Sequence, residues 1–188
     1  MTAETAPDPI AVPLDLRQDV TLLTAALMDI NSVSGNEAEL ADAVETALQA
    51  IPKLRVVRDG DAIIARTELG RPERVILAGH LDTVPLPITE GARGTVPSTW
   101  ESGVPGEGVL YGRGATDMKG GVAVMVELAR WAADAALAYD LAFLFFPREE
   151  LGPDENPLPA LFDAVPLLTE PSLVVVLEPT DNTIQAGC

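Results

Sequence analysis

Five carboxylates and the only histidine of this chain lie at positions where they could hold divalent metal ions together. The set comprises His80, Asp82, Asp117, Glu149, Glu150 and Glu178. Carboxylates gathered in one place repel one another and raise each other's pKa unless a cation offsets their charge. One imidazole with several carboxylates suits zinc, and less selectively cobalt or manganese. We interpret the set as most of a two-metal hydrolytic site.

The spacing of four of these residues suggests separate tasks for them. Asp82 lies two residues beyond His80 and can accept the second imidazole N–H, which fixes the tautomer and raises the basicity of the ring. Glu149 and Glu150 are adjacent, so one can bind metal while its neighbour stays free as a general base.

Asp117 follows a glycine-rich segment. Gly112 and Gly114 allow a sharp turn of the main chain that points Asp117 inward. The two oxygens of its carboxylate could bridge two metals about 3.5–4 Å apart. Taken alone, Asp117 could equally be the N-cap of the next helix, and Glu178, which precedes Pro179, could be an exposed strand end. Each residue by itself is a weak signal, and only the set favours metal binding.

Alternating helix and strand patterns surround these residues. Helices are predicted over 15–29, 37–51, 119–138 and 158–168, the last interrupted or ended near Pro166. Short or buried strands are predicted over 54–57, 62–65, 74–78, 109–111, 140–146 and 173–177, and one more strand begins at 183. Ser34 or Asn36 is expected to cap the second helix. Residues 1–14 are predicted to be a disordered tail, and 85–108 a long loop.

This alternation predicts an α/β fold with three layers, α/β/α, around a largely parallel central sheet. Ligands of such sheets bind beyond the carboxyl ends of the strands. His80, Glu149, Glu150 and Glu178 each follow an apolar strand run. We therefore expect all four at one edge of the sheet.

The bulk composition limits the classes of partner. The formal charge of −17 on 188 residues disfavours nucleic acid and anionic membrane surfaces as partners. Apolar residues make up 47% of the chain, which suffices for a buried core, and aromatic residues only 4%. The single cysteine, Cys188, excludes an internal disulfide framework. With no signal-peptide pattern and no apolar run long enough to span a membrane, we expect a cytoplasmic protein.

Several motifs together resemble the dizinc metallohydrolases related to carboxypeptidase G2, aminoacylases and dipeptidases, and among them most resemble the succinyl-diaminopimelate desuccinylases of actinobacteria. The motifs are Gly79-His80-Leu81-Asp82-Thr83-Val84-Pro85, Tyr111-Gly112-Arg113-Gly114-Ala115-Thr116-Asp117-Met118-Lys119-Gly120-Gly121, Glu149-Glu150-Leu151-Gly152, and Leu177-Glu178-Pro179-Thr180 followed by Ala186-Gly187-Cys188. The resemblance covers residues 16–188 and implies a zinc aminopeptidase-like catalytic domain.

The resemblance also implies roles for the metal ligands. His80 and Glu178 would bind one zinc, Glu150 would bind a second, and Asp117 would bridge the two. A glutamate rather than an aspartate at Glu178 is typical of N-acyl-amino-acid deacylases more than of dipeptidases. The family further implies a cis peptide bond between Asp117 and Met118.

Two residues would take part in the reaction that the resemblance implies. Glu149 would remove a proton from the attacking water and deliver it to the leaving amine, and Asp82 would orient His80. The implied reaction is the hydrolysis of N-succinyl-LL-2,6-diaminopimelate to succinate and LL-2,6-diaminopimelate, a step of lysine biosynthesis. Other N-acyl-amino-acid deacylases, such as acetylornithine deacetylases, dipeptidases, or a metal-binding protein without catalysis, remain alternatives.

The length of the chain departs from this family. Its members are about twice as long, and they insert a lid domain that dimerises and helps to bind the substrate, before a C-terminal part that supplies a second histidine ligand. In this chain the His80 side of the site is complete, whereas the Glu150 side lacks its histidine. We therefore expect residues 15–188 to be the N-terminal part of a catalytic domain, inactive alone, and the full-length enzyme to be a homodimer.

Overall fold

A computed structural model describes residues 13–187 of the chain. The helices are α1 (Val20–Asp29), α2 (Ala38–Gln49), α3 (Gly120–Ala132) and α4 (Leu158–Ala164). The strands are β1 (Arg55–Asp59), β2 (Ala62–Arg66), β3 (Arg74–His80), β4 (Thr99–Trp100), β5 (Leu110–Tyr111), β6 (Asp140–Phe146) and β7 (Leu173–Val176). A short 3₁₀ turn, Pro166–Leu168, follows α4, and a wide turn, Ala115–Lys119, leads into α3.

Five strands form the central sheet in the order β1-β2-β6-β3-β7. The pairings of β3 with β6 and with β7 are parallel, whereas β1 with β2 and β2 with β6 are antiparallel. The sheet is therefore mixed rather than largely parallel as predicted. The reason is local, because the turn around Gly60 joins β1 and β2 as a hairpin, which forces an antiparallel pair. β4 and β5 form a separate antiparallel ribbon.

Helices cover both faces of the sheet, which confirms the three-layer α/β/α class. Successive residues of β6 alternate between the faces, and both sets are buried. Phe143 and Phe145 belong to the larger core, which also contains the apolar sides of α1, α2 and α3. Leu144 and Phe146 belong to the core on the opposite face, against Leu161 of α4. β6 is therefore an interior strand, as its continuous apolar run predicts.

The helix bounds differ from the predictions mainly at the ends. α1 begins at Val20 rather than near Asp15, because Asp19 accepts the N–H of Thr21 and acts as its N-cap. α3 ends at Ala132, before the predicted end at 138. The predicted cap of α2 by Ser34 or Asn36 is wrong. α2 has Glu37 at its N-cap position without a side-chain capping bond, and the Ser34 hydroxyl donates to Asp82 instead.

The C-terminal part departs furthest from the predicted strands. β7 was expected to be buried, but it is the edge strand of the sheet, and its four residues are 42–55% exposed. Residues 183–186 form no strand in the structure, although one was predicted to begin there. An apolar run indicates a strand, but its burial depends on whether a neighbour lies beyond it.

The predicted tail, residues 1–14, lies mostly outside the described residues. Leu14 is within them and is buried in the larger core. Cys188 also lies outside the described part. Within residues 13–187, no helix is both long and apolar enough to cross a membrane.

Candidate metal centre

His80 is the last residue of β3, and its side chain is buried. Nδ1 lies 3.0 Å from the main-chain oxygen of Asp82. Nε2 lies 3.0 Å from Oδ1 of Asp117 and 3.7 Å from Oε1 of Glu178. If Nδ1 donates its proton to the main-chain oxygen, Nε2 of the neutral ring presents its lone pair to the two carboxylates. This is the orientation that a metal-binding histidine needs.

The sequence predicts the Asp82 carboxylate as the partner of Nδ1, but the main-chain oxygen of Asp82 lies closer. Oδ1 of Asp82 is 3.5 Å from Nδ1, farther than the main-chain oxygen of the same residue. A separation of 3.5 Å is at the outer limit of a hydrogen bond. The main-chain oxygen therefore fixes the ring, and the carboxylate contributes mainly its charge.

The charges around His80 are strongly negative. Burial disfavours the protonated ring, but the carboxylates of Asp82, Glu178 and Asp117 outweigh it and raise the pKa of His80 to about 9. A site that attracts a proton to this degree also attracts other cations, because the same negative potential acts on both.

Glu178 reaches the site because of strand register. The parallel pairing of β3 with β7 places Ala78 opposite Val176, and the N–H of Leu177 donates to the oxygen of Ala78. Two residues further on, His80 and Glu178 stand at equivalent positions of neighbouring chain segments. Side chains at equivalent positions lie on the same face of a sheet, which explains why Glu178 approaches His80.

Asp117 is carried by the turn before α3. The turn begins at Gly114, which has φ of 77°, a left-handed conformation that favours glycine. A Cβ at this position would lie 2.8 Å from Cγ2 of Thr83, so the close approach also requires glycine. The peptide bond from Asp117 to Met118 is cis, as the family resemblance implied. The turn thus brings Asp117, which is half exposed, to His80.

One ligand atom each from His80, Asp117 and Glu178 lies within 4.8 Å of the other two. The predicted convergence of these three side chains is therefore found. An imidazole nitrogen and two carboxylate oxygens form a donor set that suits zinc. Burial and the charges of three other carboxylates raise the pKa of Glu178, whereas His80 acts to lower it. A divalent cation would offset this crowding of negative charge, so the residues fit such an ion.

Glu149 and Glu150 occupy the turn after β6, and Asp82 fastens the main chain of this turn. The N–H of Glu149 donates to Oδ1 of Asp82 at 2.9 Å, and the N–H of Glu150 donates to Oδ2 at 3.1 Å. The hydroxyl of Ser34 adds a third bond, to Oδ2, at 2.7 Å. Burial opposes the charge of Asp82, but the imidazole of His80 and these donors lower its pKa to about 2.

Glu150 does not belong to the group of three converging side chains. It is nevertheless near enough for their charges to matter. Burial raises the pKa of Glu150, and the charges of Asp117 and Glu149 raise it further, whereas His80 lowers it. The predicted role of Glu150 as a ligand stays a prediction. The side chain of Glu149 is exposed.

Three residues near the centre were not predicted to support it. The hydroxyl of Ser34 donates to Asp82, and Glu37 accepts the N–H of Arg148 in the turn after β6. Lys119 is 1% exposed, and its Nζ donates to the main-chain oxygens of Leu27 and Ile30 at 3.1 and 2.7 Å. Because the position of Lys119 inside a glycine-rich motif gives no sign of burial, only the tertiary contacts reveal it.

Comparison with known sequences agrees with this geometry. The family model described as peptidase family M20/M25/M40 matches residues 76–186, more than half of the chain. A Mycobacterium tuberculosis protein provisionally named succinyl-diaminopimelate desuccinylase is 42% identical over 176 residues, which are 93% of this chain and 46% of that protein. The succinyl-diaminopimelate desuccinylase of Corynebacterium glutamicum is 38% identical over 178 residues, 93% of this chain and 45% of the relative. The chain thus spans about half the length of these relatives.

Comparison with solved structures supports the fold. The metallo-carboxypeptidase Sso-CP2 of Sulfolobus solfataricus superimposes with a TM-score of 0.65 at 16% identity, over 85% of this chain and 37% of that one. Human carnosine dipeptidase 1 superimposes with a TM-score of 0.60 at 22% identity, over 84% of this chain and 38% of that one. Together with the family model and the relatives, the fold and the converging side chains show that this chain belongs to peptidase family M20/M25/M40.

Proposed function

We propose that this chain is the metal-binding part of a zinc-dependent hydrolase that removes the succinyl group from N-succinyl-LL-2,6-diaminopimelate. The observation that carries the proposal is the convergence of Nε2 of His80 with carboxylate oxygens of Asp117 and Glu178. Membership of the metallohydrolase family supports the reaction class. The names of the relatives from Mycobacterium tuberculosis and Corynebacterium glutamicum support the choice of acyl group.

The ligands divide between two metal positions. His80 and Glu178 would hold the first zinc, Asp117 would bridge, and Glu150 would hold the second. The second position lacks an imidazole from this chain, because His80 is its only histidine. Bound zinc would polarise the carbonyl of the scissile amide and acidify the attacking water. Cobalt or manganese could substitute, since both accept the same donors.

Glu149 is the proposed base. Its main chain is fixed by Asp82, while its side chain remains exposed and free to approach a substrate. Glu149 would take a proton from the water as the new C–O bond forms. It would then deliver that proton to the leaving nitrogen as the C–N bond breaks. Because Glu149 holds no metal in this scheme, its loss should stop turnover without releasing zinc.

The identity of one proposed ligand supports the choice of an N-acyl substrate. Glu178, as a glutamate, favours an N-acyl-amino-acid deacylase over a dipeptidase within the family. The partner would be a small N-acyl amino acid, and the full-length enzyme would be a homodimer through a part that lies outside this chain. Acetylornithine deacetylation and dipeptide hydrolysis are the competing activities of the same site.

The decisive experiment uses the protein that carries this chain, at its natural length and loaded with zinc. Release of LL-2,6-diaminopimelate from its N-succinyl derivative is measured beside N-acetylornithine and a dipeptide. We expect the succinyl substrate to be preferred. Glu149→Ala should lose nearly all turnover while keeping its zinc, and His80→Ala should lose zinc itself. An active Glu149→Ala enzyme would contradict the assignment of the base, and preference for a dipeptide would overturn the substrate.

The 188-residue chain alone gives a second test. It should bind zinc through His80, Asp117 and Glu178 but hydrolyse the amide slowly or not at all, because the second metal position is incomplete. Calorimetric titration with zinc, with His80→Ala as the reference, measures the first property, and the same turnover assay measures the second. Robust hydrolysis by this chain would show that the second position does not need another histidine.

A further inference from the structure

Three consecutive main-chain N–H groups after β6 donate to two buried carboxylates. Those of Glu149 and Glu150 donate to Asp82. The N–H of Arg148 donates to Oε1 of Glu37, 111 positions away, at 3.2 Å. The main chain that carries the proposed base and the proposed ligand is thus held at every residue. Asp82 supplies two of the bonds, and Glu37 supplies the third.

Glu37 is 0% exposed, although it is a carboxylate at the start of α2. Its Oε1 also accepts the N–H of Gly35 at 2.9 Å, and its Oε2 has no hydrogen-bond partner within residues 13–187. Burying a carboxylate is unfavourable unless its bonds compensate. The bond to Gly35 is local, so the bond to Arg148 is the one that reaches the turn after β6.

The main-chain conformation of Arg148 is the reason that this turn needs a distant hydrogen-bond acceptor. It has φ of 61°, in the left-handed region that a residue with a Cβ adopts rarely. The neighbouring N–H groups already donate to Asp82, so an unheld Arg148 would let the start of the turn relax to a more favourable conformation. The Cα–Cβ bonds of Glu149 and Glu150, which set the directions of their side chains, would turn with it.

We propose that Glu37 is a positioning residue, whose buried carboxylate holds the Arg148 turn and thereby directs the side chains of Glu149 and Glu150 into the metal centre. This inference rests on the proposed function, because it assumes the roles given there to the two glutamates. The loop 32–37 is already joined to the residues after His80, since the N–H of Ser34 donates to Thr83 and the N–H of Thr83 donates to Ser32. Glu37 extends that connection to the end of β6.

The first test is amide hydrogen exchange of the metal-free 188-residue chain, followed by NMR. Glu37→Met keeps the length of the side chain and removes the acceptor. The control is Val44→Ala, which weakens the same helix in the buried core without touching the turn. We expect Glu37→Met to accelerate exchange of the Arg148, Glu149 and Glu150 amides by about tenfold more than the control does.

Two further variants refine this test. Glu37→Gln keeps an acceptor oxygen of the same reach and should restore protection to within about threefold of the natural chain. Glu37→Asp keeps the charge but withdraws the carboxylate by one methylene, so it should lose the Arg148 bond. If Glu37→Met does not fold, Glu37→Asp tests the loss of the same hydrogen bond. Protection equal to that of Val44→Ala in both the Met and Asp variants would overturn the proposal, as would a Gln variant that is as unprotected as Met.

The second test asks whether Glu37 acts through Glu150. Zinc uptake at the second metal position, the one assigned to Glu150, is measured by calorimetry on the protein at its natural length, without substitution and as Glu37→Met, Glu150→Gln and the double variant. We expect Glu37→Met to weaken zinc binding about three- to tenfold in the natural background. In the Glu150→Gln background it should have no further effect, which a general loss of stability could not produce. Equal losses in both backgrounds, or no loss in either, would overturn the positioning role.

The two tests separate this proposal from the proposed function. If the natural chain takes up no zinc, the proposed function fails, and the exchange data still decide whether Glu37 holds the turn. If the chain takes up zinc and Glu37→Met leaves both exchange and affinity unchanged, the positioning role fails and the proposed function stands.

Discussion

The N–H of Glu149 donates a 2.9 Å hydrogen bond to Oδ1 of Asp82. This contact joins the ends of β3 and β6, because Asp82 follows His80 by two residues and Glu149 follows β6 by three. Asp82 therefore does more than orient His80, the role that the family resemblance implies. It also fixes the main chain of the residue proposed as the base.

Asp82→Asn should weaken both parts of the centre. Asparagine keeps the shape of the side chain but turns a donor toward the Glu150 N–H or the Ser34 hydroxyl, which are donors themselves. We expect zinc affinity to fall about 10- to 100-fold and the free energy of unfolding to fall by about 1–3 kcal/mol. Calorimetry and urea denaturation measure these changes. Asp134→Asn, at an exposed surface ion pair, should leave both quantities unchanged.

Gly114→Ala tests the turn that carries Asp117. Alanine would adopt the positive φ unfavourably and would also place its Cβ against Thr83. The matched control is Gly103→Ala, where φ is 74° and no atom lies within 4 Å of the added Cβ. Gly103→Ala should cost about 1 kcal/mol of unfolding free energy from the backbone alone. Gly114→Ala should cost more and should also reduce zinc affinity. Equal effects in the two variants would show that the contact with Thr83 is unimportant.

Lys119→Met tests the buried ammonium at the end of α1. Methionine fits the apolar stem but leaves the main-chain oxygens of Leu27 and Ile30 without their donor. Burial lowers the pKa of Lys119 to about 8, although the charge of Asp29 acts to raise it. Removing this poorly solvated ammonium is favourable and offsets part of the free energy that is lost with the two hydrogen bonds. We expect a net loss of about 1–3 kcal/mol in unfolding free energy, measured in urea at pH 7. Lys53→Met, at an exposed position, should change it by less than about 0.5 kcal/mol. A Lys119→Met protein as stable as the natural chain would show that the two bonds contribute nothing net.

The buried carboxylate of Asp140 should make the free energy of unfolding depend on pH. This carboxylate accepts bonds from the N–H of Leu69, the hydroxyl of Thr67 and the N–H of Arg71. Burial acts to raise the pKa of Asp140, but these donors hold it below the usual 3.8. A lowered folded pKa gives stability that is complete above the unfolded pKa and is lost as the pH falls through the folded value.

The unfolding free energy of the natural chain should therefore exceed that of Asp140→Asn most above about pH 4, the unfolded pKa of the carboxyl. The difference should shrink as the pH falls below that value. Denaturation in urea between pH 7 and pH 3 measures the difference directly. A constant difference across this range would mean that the charge of Asp140 is not what stabilises the segment it holds.

The parts of the centre that follow from the sequence are those that depend on local runs. β6 has the predicted bounds, Asp140–Phe146. The apolar run of β3 could be predicted as well, although the strand continues past residue 78 and ends at His80 itself. The run that forms β7 has the same character, and the strand ends at Val176, one residue before the predicted end. Its exposure could not be predicted, because that depends on which strand, if any, lies beside it.

The supporting residues could not be predicted for a related reason. Lys119 bonds to a residue 92 positions away, and Glu37 to one 111 positions away. Each is the first residue of a predicted helix and lies outside the apolar positions that repeat along it, so the helical period does not mark it as buried. Local pattern therefore indicated the proposed ligands, whereas the residues that hold them in place became visible only through tertiary contacts.

The parallel register of β3 and β7 also determines which changes in chain length the centre can tolerate. His80 and Glu178 meet because each lies two residues beyond one member of the same pair, Ala78 and Val176. The loops of the long segment between β3 and β7 can gain or lose residues without altering this register. A single residue inserted inside β7 would instead turn Glu178 to the opposite face of the sheet. The centre should therefore tolerate changes in the length of these loops but not an insertion or deletion of one residue within the strand.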